Sequence, residues 1–189
     1  MARSTNRHGG GAATNRNGLW FEQETDLATA LRQDAPYVAV RAVQKGEWDI
    51  LSGQKRVGSI YQKSRFHTSF LRQQGIRWQD YFPSKKPQPD SVLVNYNSNT
   101  VFLVEKKYQS VSGSTDEKLL ACDFKVRQYR KVCAEADFFV RYIYLFNDWF
   151  RQDGQGYPDY RAYIQAVGCE YFFNTIPLAV LGLSQQQLA

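Results

Sequence analysis

Residues 90–107 read DSVLVNYNSNTVFLVEKK, and this stretch decides the fold of the chain. β-Branched and aromatic residues stand on both sides of an Asn-rich segment, which predicts two antiparallel strands joined by a tight turn. Two registers are open. The first places Tyr96 opposite Thr100, and the alternative, one residue tighter, places Asp90 opposite Glu105.

In either register Asp90, Glu105 and Lys107 lie at the same end of the hairpin. Because side chains alternate along a strand, Glu105 and Lys107 share one face, whereas Lys106 points to the other and is expected to contribute less. Two carboxylates can bind Mg²⁺ through hard oxygen ligands, and a neighbouring amine can offset charge that develops on a phosphate. These residue types at one sheet end therefore indicate metal-assisted hydrolysis of a phosphodiester.

The dipeptide Pro89-Asp90 followed by the triplet Glu105-Lys106-Lys107 resembles the signature of the PD-(D/E)xK nuclease superfamily. That superfamily includes most type II restriction endonucleases, Holliday-junction resolvases and many repair nucleases. The resemblance implies a mixed β-sheet flanked by helices, with the Asp and the triplet on adjacent strands. It also implies that Asp90 and Glu105 bind Mg²⁺ and that Lys107 is the catalytic lysine.

In such enzymes an acidic residue on the first helix often joins the metal site, and Glu22 is the best candidate, with Glu24 and Asp26 as rivals. The chain holds two further acidic-x-Lys triplets, Asp116–Lys118 and Asp123–Lys125. Both fall in a predicted helix rather than at the end of an apolar strand. Their context therefore favours the triplet that ends the hairpin.

The rest of the chain predicts further helices and strands of one α/β domain. The first predicted helix begins near Leu19, is capped by Asn17 and ends before Pro36, and a second covers 59–75. A third runs from a Ser114–Glu117 capping box to about Ala136, and a fourth from Pro158 to Gly168. Predicted strands are 138–146 and 169–173, and 176–183 is expected to form a packed turn. The stretch 37–57 stays open between strand and helix. Within the long helix, Leu120, Phe124, Tyr129, Val132 and Cys133 are expected to be buried.

Composition narrows the possible classes of protein. The chain has 189 residues, of which 43% are hydrophobic and 22% charged, as in ordinary globular domains. Only two histidines and three widely spaced cysteines are present, which argues against a zinc site and favours reduced thiols in the cytoplasm. No apolar run is long enough to span a membrane, and no signal segment or nucleotide-binding motif is found. We expect a flexible, basic, Gly-rich arm over 1–18 and a single nuclease-like domain over 19–189.

Positive charge is concentrated in the first half of the chain. Residues 1–86 carry 14 Lys and Arg against 7 Asp and Glu, whereas residues 87–189 carry 10 against 11. A polyanion such as DNA would be steered to the first half, where the candidate contacts are Arg3, Arg7, Arg16, Lys63, Arg65 and Arg72. The segment from Tyr108 to Lys118 resembles a loop of restriction-type endonucleases, which adds Gln109 and Lys118. Phe66 and Phe70, which interleave with the basic residues, fit either the core or a nucleic-acid groove.

The expected function is a Mg²⁺-dependent endonuclease for double-stranded DNA, of the type II restriction kind. One site per chain and two strands to cut favour a homodimer with two-fold symmetry. The alternatives are a structure-specific repair or junction-resolving nuclease, a non-catalytic DNA-binding protein on the same fold, and an α/β protein with neither activity.

Overall fold

The computed structural model describes residues 10–82, 86–110, 115–153 and 157–188. These residues form one seven-stranded β-sheet with helices packed on both faces. The helices are α1 (Gly10–Glu24), α2 (Leu27–Asp34), α3 (Thr115–Leu119), α4 (Cys122–Ala134), α5 (Tyr157–Ala166) and α6 (Gln185–Leu188). The strands are β1 (Ala39–Gln44), β2 (Glu47–Ser52), β3 (Lys55–Gln62), β4 (Ser91–Asn95), β5 (Thr100–Lys107), β6 (Phe139–Phe146) and β7 (Glu170–Phe173). The chain also forms a π-helical turn, Phe66–Leu71, and two 3-10 turns, Trp78–Asp80 and Asp148–Arg151.

The strands lie across the sheet in the order in which they occur in the chain. Strands β1 to β4 each pair antiparallel with the next strand, whereas β5 pairs parallel with β6 and β6 pairs parallel with β7. Antiparallel neighbours need only tight turns, but parallel neighbours need crossovers, which α3 and α4 and then α5 supply. The predicted α/β class with a mixed sheet is confirmed. The stretch 37–57, for which the sequence left strand and helix undecided, is extended and forms β1, β2 and the start of β3.

The hairpin predicted from residues 90–107 forms, in the tighter of the two registers. Asn95 pairs with Thr100, so the register with Tyr96 opposite Thr100 is wrong by one residue. The observed pairing extends to place Asp90, directly before β4, across from Glu105.

The side chain of Asn95 explains this register. Its Oδ1 accepts hydrogen bonds from the backbone N–H groups of Asn97 at 2.9 Å and Ser98 at 3.1 Å. An Asn side chain that accepts these N–H groups closes the turn in place of a backbone–backbone hydrogen bond. Tyr96 is thereby released from the β4–β5 ladder, and its N–H donates instead to the carbonyl of Val57 at 2.9 Å.

Both faces of β5 are covered, and the alternation of its side chains sets the orientation of Glu105, Lys106 and Lys107. Leu103 is part of a core cluster with side chains of α4. Val104 is part of the opposite cluster, which includes side chains of α1 and α2. The same alternation turns Glu105 and Lys107 toward α4 and Lys106 toward α1, as predicted.

The helix predicted over 59–75 is only partly present. Its first residues continue β3 as far as Gln62, because a strand here completes the sheet beside β4. The helical part is the π-helical turn, and the segment ends at Gly75, whose φ of 75° suits a helix C-terminus. Phe66 and Phe70 are fully buried and stack with ring centroids 5.2 Å apart, so the core interpretation is correct.

The single helix predicted up to Ala136 is wrong, because the chain breaks after Leu119 and resumes as α4. The break changes which residues face the sheet. Leu120 and Phe124, predicted to be buried, are 48% and 63% exposed. The buried residues of α4 are Cys122, Val126, Tyr129, Val132 and Cys133. The predicted cap Ser114 lies outside the described residues.

The N-terminal helical region is also divided in two. Helix α1 begins at Gly10 rather than near Leu19, so Asn17 lies inside it and does not cap it. The second helix begins after Asp26, whose extended backbone and Oδ2 bond from the N–H of Thr29 at 3.1 Å form the N-cap. Of the predicted arm, residues 10–18 belong to α1, and residues 1–9 lie outside the described part of the chain.

The remaining predictions of local structure are confirmed. These are the strands over 138–146 and 169–173, the helix with Pro158 in its first turn, and the packed turn over 176–183, in which Ile176, Leu181 and Leu183 are buried. All three cysteines are free and buried. Within the described ranges, no helix is long and apolar enough to cross a bilayer.

Candidate active site

Asp90 is held at the start of β4 by the neighbouring strand. Its Oδ2 accepts a hydrogen bond of 2.8 Å from the backbone N–H of Lys106. Burial, then the nearby charge of Glu105, raise the pKa of Asp90, and Glu22 acts in the same direction. Lys107 opposes this shift only in part. A cation beside Asp90 would counter these effects and favour its ionised form.

Glu105 is a charged side chain in an almost fully buried position, with 4% of its surface exposed. Its Oε2 lies 2.9 Å from Lys107 Nζ, and its Oε1 lies 2.8 Å from Lys125 Nζ. Burial alone would raise the pKa of Glu105, but the two ammonium groups outweigh burial and lower it. A buried carboxylate is thus kept ionised at neutral pH by two lysines on separate elements.

Lys125 is the site residue that sequence reasoning missed. It belongs to the triplet Asp123–Lys125, which the sequence assigned to a helix and set aside. The helix assignment is correct, but α4 places this lysine over the end of β5. Spacing could not reveal the contact, because the face that α4 turns to the sheet depends on the break after Leu119.

Lys106 lies on the other side of β5, where an open cleft of about 450 Å³ separates the hairpin from α1 and α2. Its Nζ donates to the backbone carbonyl of Glu22 at 2.8 Å, so the strand is tied to the last turn of α1. The cleft is lined by Leu19, Glu22, Gln23, Asp26, Thr29, Gln62, Lys63, Asp90, Ser91 and Lys106.

Of the three acidic candidates on the first helical segment, Glu22 has the best position. It lines the same cleft as Asp90 and acts on that carboxylate electrostatically. Asp26 also lines the cleft, but its oxygens accept from the α2 N-terminus and from Gln62 Nε2 at 2.9 Å. Glu24 lines a different depression on the far side of α2.

The predicted DNA contacts occupy several places. Lys63 lines the cleft beside Asp90, and Arg65 donates from Nε to the carbonyl of Lys45 at 3.0 Å. Arg72 is exposed after the π-helical turn, and Lys118 is exposed on α3. Arg3 and Arg7 lie outside the described residues, and of Arg16 only the backbone, in α1, is described.

Gln109 is buried rather than exposed at a strand end, with 2% of its surface accessible. The Asn147 side chain makes two hydrogen bonds to the Gln109 backbone: Oδ1 accepts from the N–H at 3.1 Å, and Nδ2 donates to the carbonyl at 2.8 Å. The side-chain amide has no partner for Nε2 or Oε1 in the part of the chain that the structure describes. Buried amides normally find partners, so this one has capacity for a ligand.

The donor set at the hairpin end suits a hard divalent cation. Mg²⁺ commonly binds through one or two carboxylates together with water and substrate phosphates. Asp90 and Glu105 supply two carboxylates from the ends of adjacent strands, and a cation beside Asp90 would offset its repulsion by Glu105 and Glu22. The residues present therefore fit Mg²⁺.

Comparisons of the chain with protein-family models, with curated proteins and with solved structures found no match.

Proposed function

We propose that this chain is a Mg²⁺-dependent endonuclease that hydrolyses phosphodiester bonds of double-stranded DNA, most simply a type II restriction endonuclease. One observation carries the proposal. Asp90 directly precedes and Glu105 directly follows the last pair of the hairpin, Ser91 with Val104, and Lys107 lies 2.9 Å from the Glu105 carboxylate. This constellation provides two oxygen ligands for a metal and an amine on the same face as one of them.

The chemistry divides between the ion and the side chains. Asp90 and Glu105 would hold Mg²⁺, which when bound polarises a phosphate and lowers the pKa of a water. Lys107, as an ammonium, donates a hydrogen bond from Nζ and offsets the negative charge that develops on the phosphate. Lys125 balances the second oxygen of Glu105 and thereby keeps a buried carboxylate ready in the free protein.

The charge distribution supports DNA as the substrate. Excess positive charge lies in the first 86 residues, whose Lys and Arg number 14 against 7 acidic residues. A polyanion would be drawn to that half of the chain, which also forms one wall of the cleft beside Asp90. A homodimer would bring a second site to the complementary strand.

The test is cleavage of supercoiled plasmid in Mg²⁺ by the wild type and three variants. Asp90→Asn and Glu105→Gln should abolish cleavage while DNA binding survives, because each removes a metal ligand and a negative charge near phosphate. Lys107→Ala should lower the rate roughly 10²-fold or more. Glu117→Gln and Lys131→Ala, exposed changes of the same chemical kind, are the controls and should cleave like the wild type.

Each outcome has a definite meaning. Discrete fragments from a sequenced plasmid would support the restriction type, and cutting only at junctions or lesions would indicate a repair or resolving nuclease. Ca²⁺ should support DNA binding without cutting, since its looser coordination positions groups poorly. Robust cutting by the wild type in EDTA would refute the metal mechanism. DNA binding with no cutting in any divalent ion would leave a non-catalytic DNA-binding protein.

A further inference from the structure

Two turns lie side by side at the active-site end of the sheet. The first joins β1 to β2 at Lys45 and Gly46, and the second follows β3 at Lys63 and Ser64. We call them the turn pair. The N–H of Gln62 donates to the carbonyl of Gly46 at 2.9 Å, and Arg65 Nε donates to the carbonyl of Lys45 at 3.0 Å. These bonds fix the turns relative to each other.

The backbone of the turn pair is held in an uncommon conformation. Lys63 has a φ of 50°, in the left-handed region that few residues other than glycine adopt. Gly46 has a φ of 78°, and a Cβ at this position would lie 3.4 Å from Cγ of Arg65. Such conformations persist only where the surrounding structure determines them, and they concentrate at ligand-binding sites.

The positive charges of the turn pair have no carboxylate partners in the strands around them. The two acidic residues of the β1–β3 segment, Glu47 and Asp49, are both buried. Glu47 Oε2 accepts from Gln44 at 2.6 Å, and Asp49 accepts from Ser59 and pairs with Arg41 and Arg56. Lys45 and Lys63 are exposed, so their charges face solvent.

The turn pair also lies next to the catalytic end of the hairpin. Gln62 pairs with Ser91, so the chain that continues into Lys63 runs beside Asp90. Lys63 and Asp90 line the same cleft. A phosphate bound at the turn pair would therefore belong to a backbone that continues directly over the metal-binding carboxylates.

We infer that the turn pair, through Lys45, Lys63 and Arg65, binds the phosphate backbone of duplex DNA and sets the strand over Asp90. The inference rests on the proposed function for the identity of the ligand. Lys45 and Lys63 are exposed, Arg65 is half-buried, and none of the three forms an ion pair within the described ranges, so these cations are available to a polyanion. Glu22 and Asp26 share the cleft with Lys63.

The experiment compares two double variants that each lose two positive charges. Lys45→Gln with Lys63→Gln removes the charges of the turn pair. Lys55→Gln with Arg56→Gln removes two charges at the other end of β3, roughly 25 Å away for a strand of eight residues. Binding to a fluorescein-labelled duplex is measured by anisotropy in Ca²⁺ over a series of salt concentrations, and circular dichroism verifies folding.

The turn-pair variant should lower the slope of log affinity against log salt by roughly two units, because each lost phosphate contact removes about 0.9. The variant at the other end should change the slope by far less. Equal slopes for both variants, or no binding by the wild type, would overturn the inference. A slope change confined to the turn pair, in a protein that never cuts DNA, would refute the proposed nuclease and leave this surface standing.

Discussion

Asp90 and Glu105 carry the same chemical group, yet their surroundings shift their pKa values in opposite directions. Burial and the charge of Glu105 raise the pKa of Asp90, whereas Lys107 and Lys125 overcome burial and lower the pKa of Glu105. For Asp90 the unfolded chain releases its proton first, so its contribution to stability falls as pH rises above the ordinary value of 3.8. For Glu105 the contribution is present above the ordinary value of 4.5 and is lost as pH falls through its folded pKa.

The first prediction follows from these signs. In EDTA at pH 7, Asp90→Asn should raise Tm, although we expect it to abolish cleavage, and Glu105→Gln should lower Tm. Both differences should shrink as the pH approaches 3. An effect of about 1 kcal/mol would move Tm by roughly 2–4 °C in a chain of this size. Calorimetry between pH 3 and 8 measures both, and a destabilising Asp90→Asn at neutral pH would contradict the charge balance described here.

The second prediction concerns Lys106, to which the sequence assigned little importance. Its predicted direction is confirmed, but the structure gives it contacts to Asp90 through its N–H and to the Glu22 carbonyl through Nζ. If the Lys106 side chain positions α1, the substitution Lys106→Met should weaken Ca²⁺ binding roughly tenfold, which is the effect of losing one hydrogen bond from a charged group.

A double-mutant cycle separates positioning from a general loss of stability. In a Glu22→Gln background, Lys106→Met should weaken Ca²⁺ binding little further, because the Glu22 side chain that Lys106 positions is already disabled. Lys107→Met, on the opposite face of β5, should lower the Ca²⁺ affinity by the same factor in the wild-type and the Glu22→Gln backgrounds. Full additivity for Lys106 and Glu22, measured by calorimetric titration with Ca²⁺, would remove the positioning role.

At the scale of elements, two glycines in regular structure should respond oppositely to the same change. A Cβ on Gly58, in β3, would lie 2.7 Å from the carbonyl oxygen of Val94 and 3.2 Å from Ile50 Cδ1. Gly18, inside α1, has nothing within 4 Å of an added Cβ. The close approach at Gly58 brings β3 against the hairpin that carries the candidate site.

We therefore predict that Gly58→Ala destabilises the fold by roughly 1–3 kcal/mol, as overpacking does elsewhere. Gly18→Ala should stabilise it by roughly 0.5–1 kcal/mol, since glycine is the poorer residue inside a helix. Urea unfolding of both variants provides the comparison. A neutral Gly58→Ala would show that β3 and β4 can move apart at no cost.

The elements that were predictable are those set by local chemistry. Alternating β-branched residues around an Asn-rich turn identified the hairpin, and Pro158 and Gly168 marked a helix and its end. The phase of α4 was not predictable, because a short break before Cys122 decides which residues meet the sheet. For the same reason Phe124 was misplaced and Lys125 was missed. The tighter hairpin register depended on the side-chain bonds of Asn95, which strand patterns do not contain.

At the scale of the whole molecule, the two halves of the chain differ in how their cations are used. In the second half Lys107, Lys125, Arg127, Arg141, Arg151 and Arg161 all form ion pairs. Among the described residues of the first half, Arg41, Arg56 and Arg77 form ion pairs, whereas Lys45, Lys63 and Arg72 are exposed and form none. Among the described residues, the first half thus also holds more Lys and Arg side chains that are outside ion pairs and available to a partner.

The corresponding prediction is a difference in the salt dependence of DNA binding. Neutralising Arg3, Arg7 and Arg16 together should lower the salt slope by roughly two to three units if each contacts phosphate. Neutralising Arg151 and Arg161 should change it little, because Asp148 and Asp153 already balance them. Binding that depended on the second pair and ignored the first three arginines would reverse the assignment of the DNA-binding half.

The order of the strands has a further consequence, for the rate at which the protein folds. Every strand neighbours its successor in the chain, and β1 to β5 are joined without a crossover. Closing the tight turns of β1–β2, β2–β3 and β4–β5 loses less entropy than closing the longer connections from β3 to β4, from β5 to β6 and from β6 to β7. The transition state should therefore contain the hairpins, with the parallel ladders forming afterwards. In a chevron analysis Leu93→Ala should mainly slow folding, whereas Phe172→Ala should mainly speed unfolding.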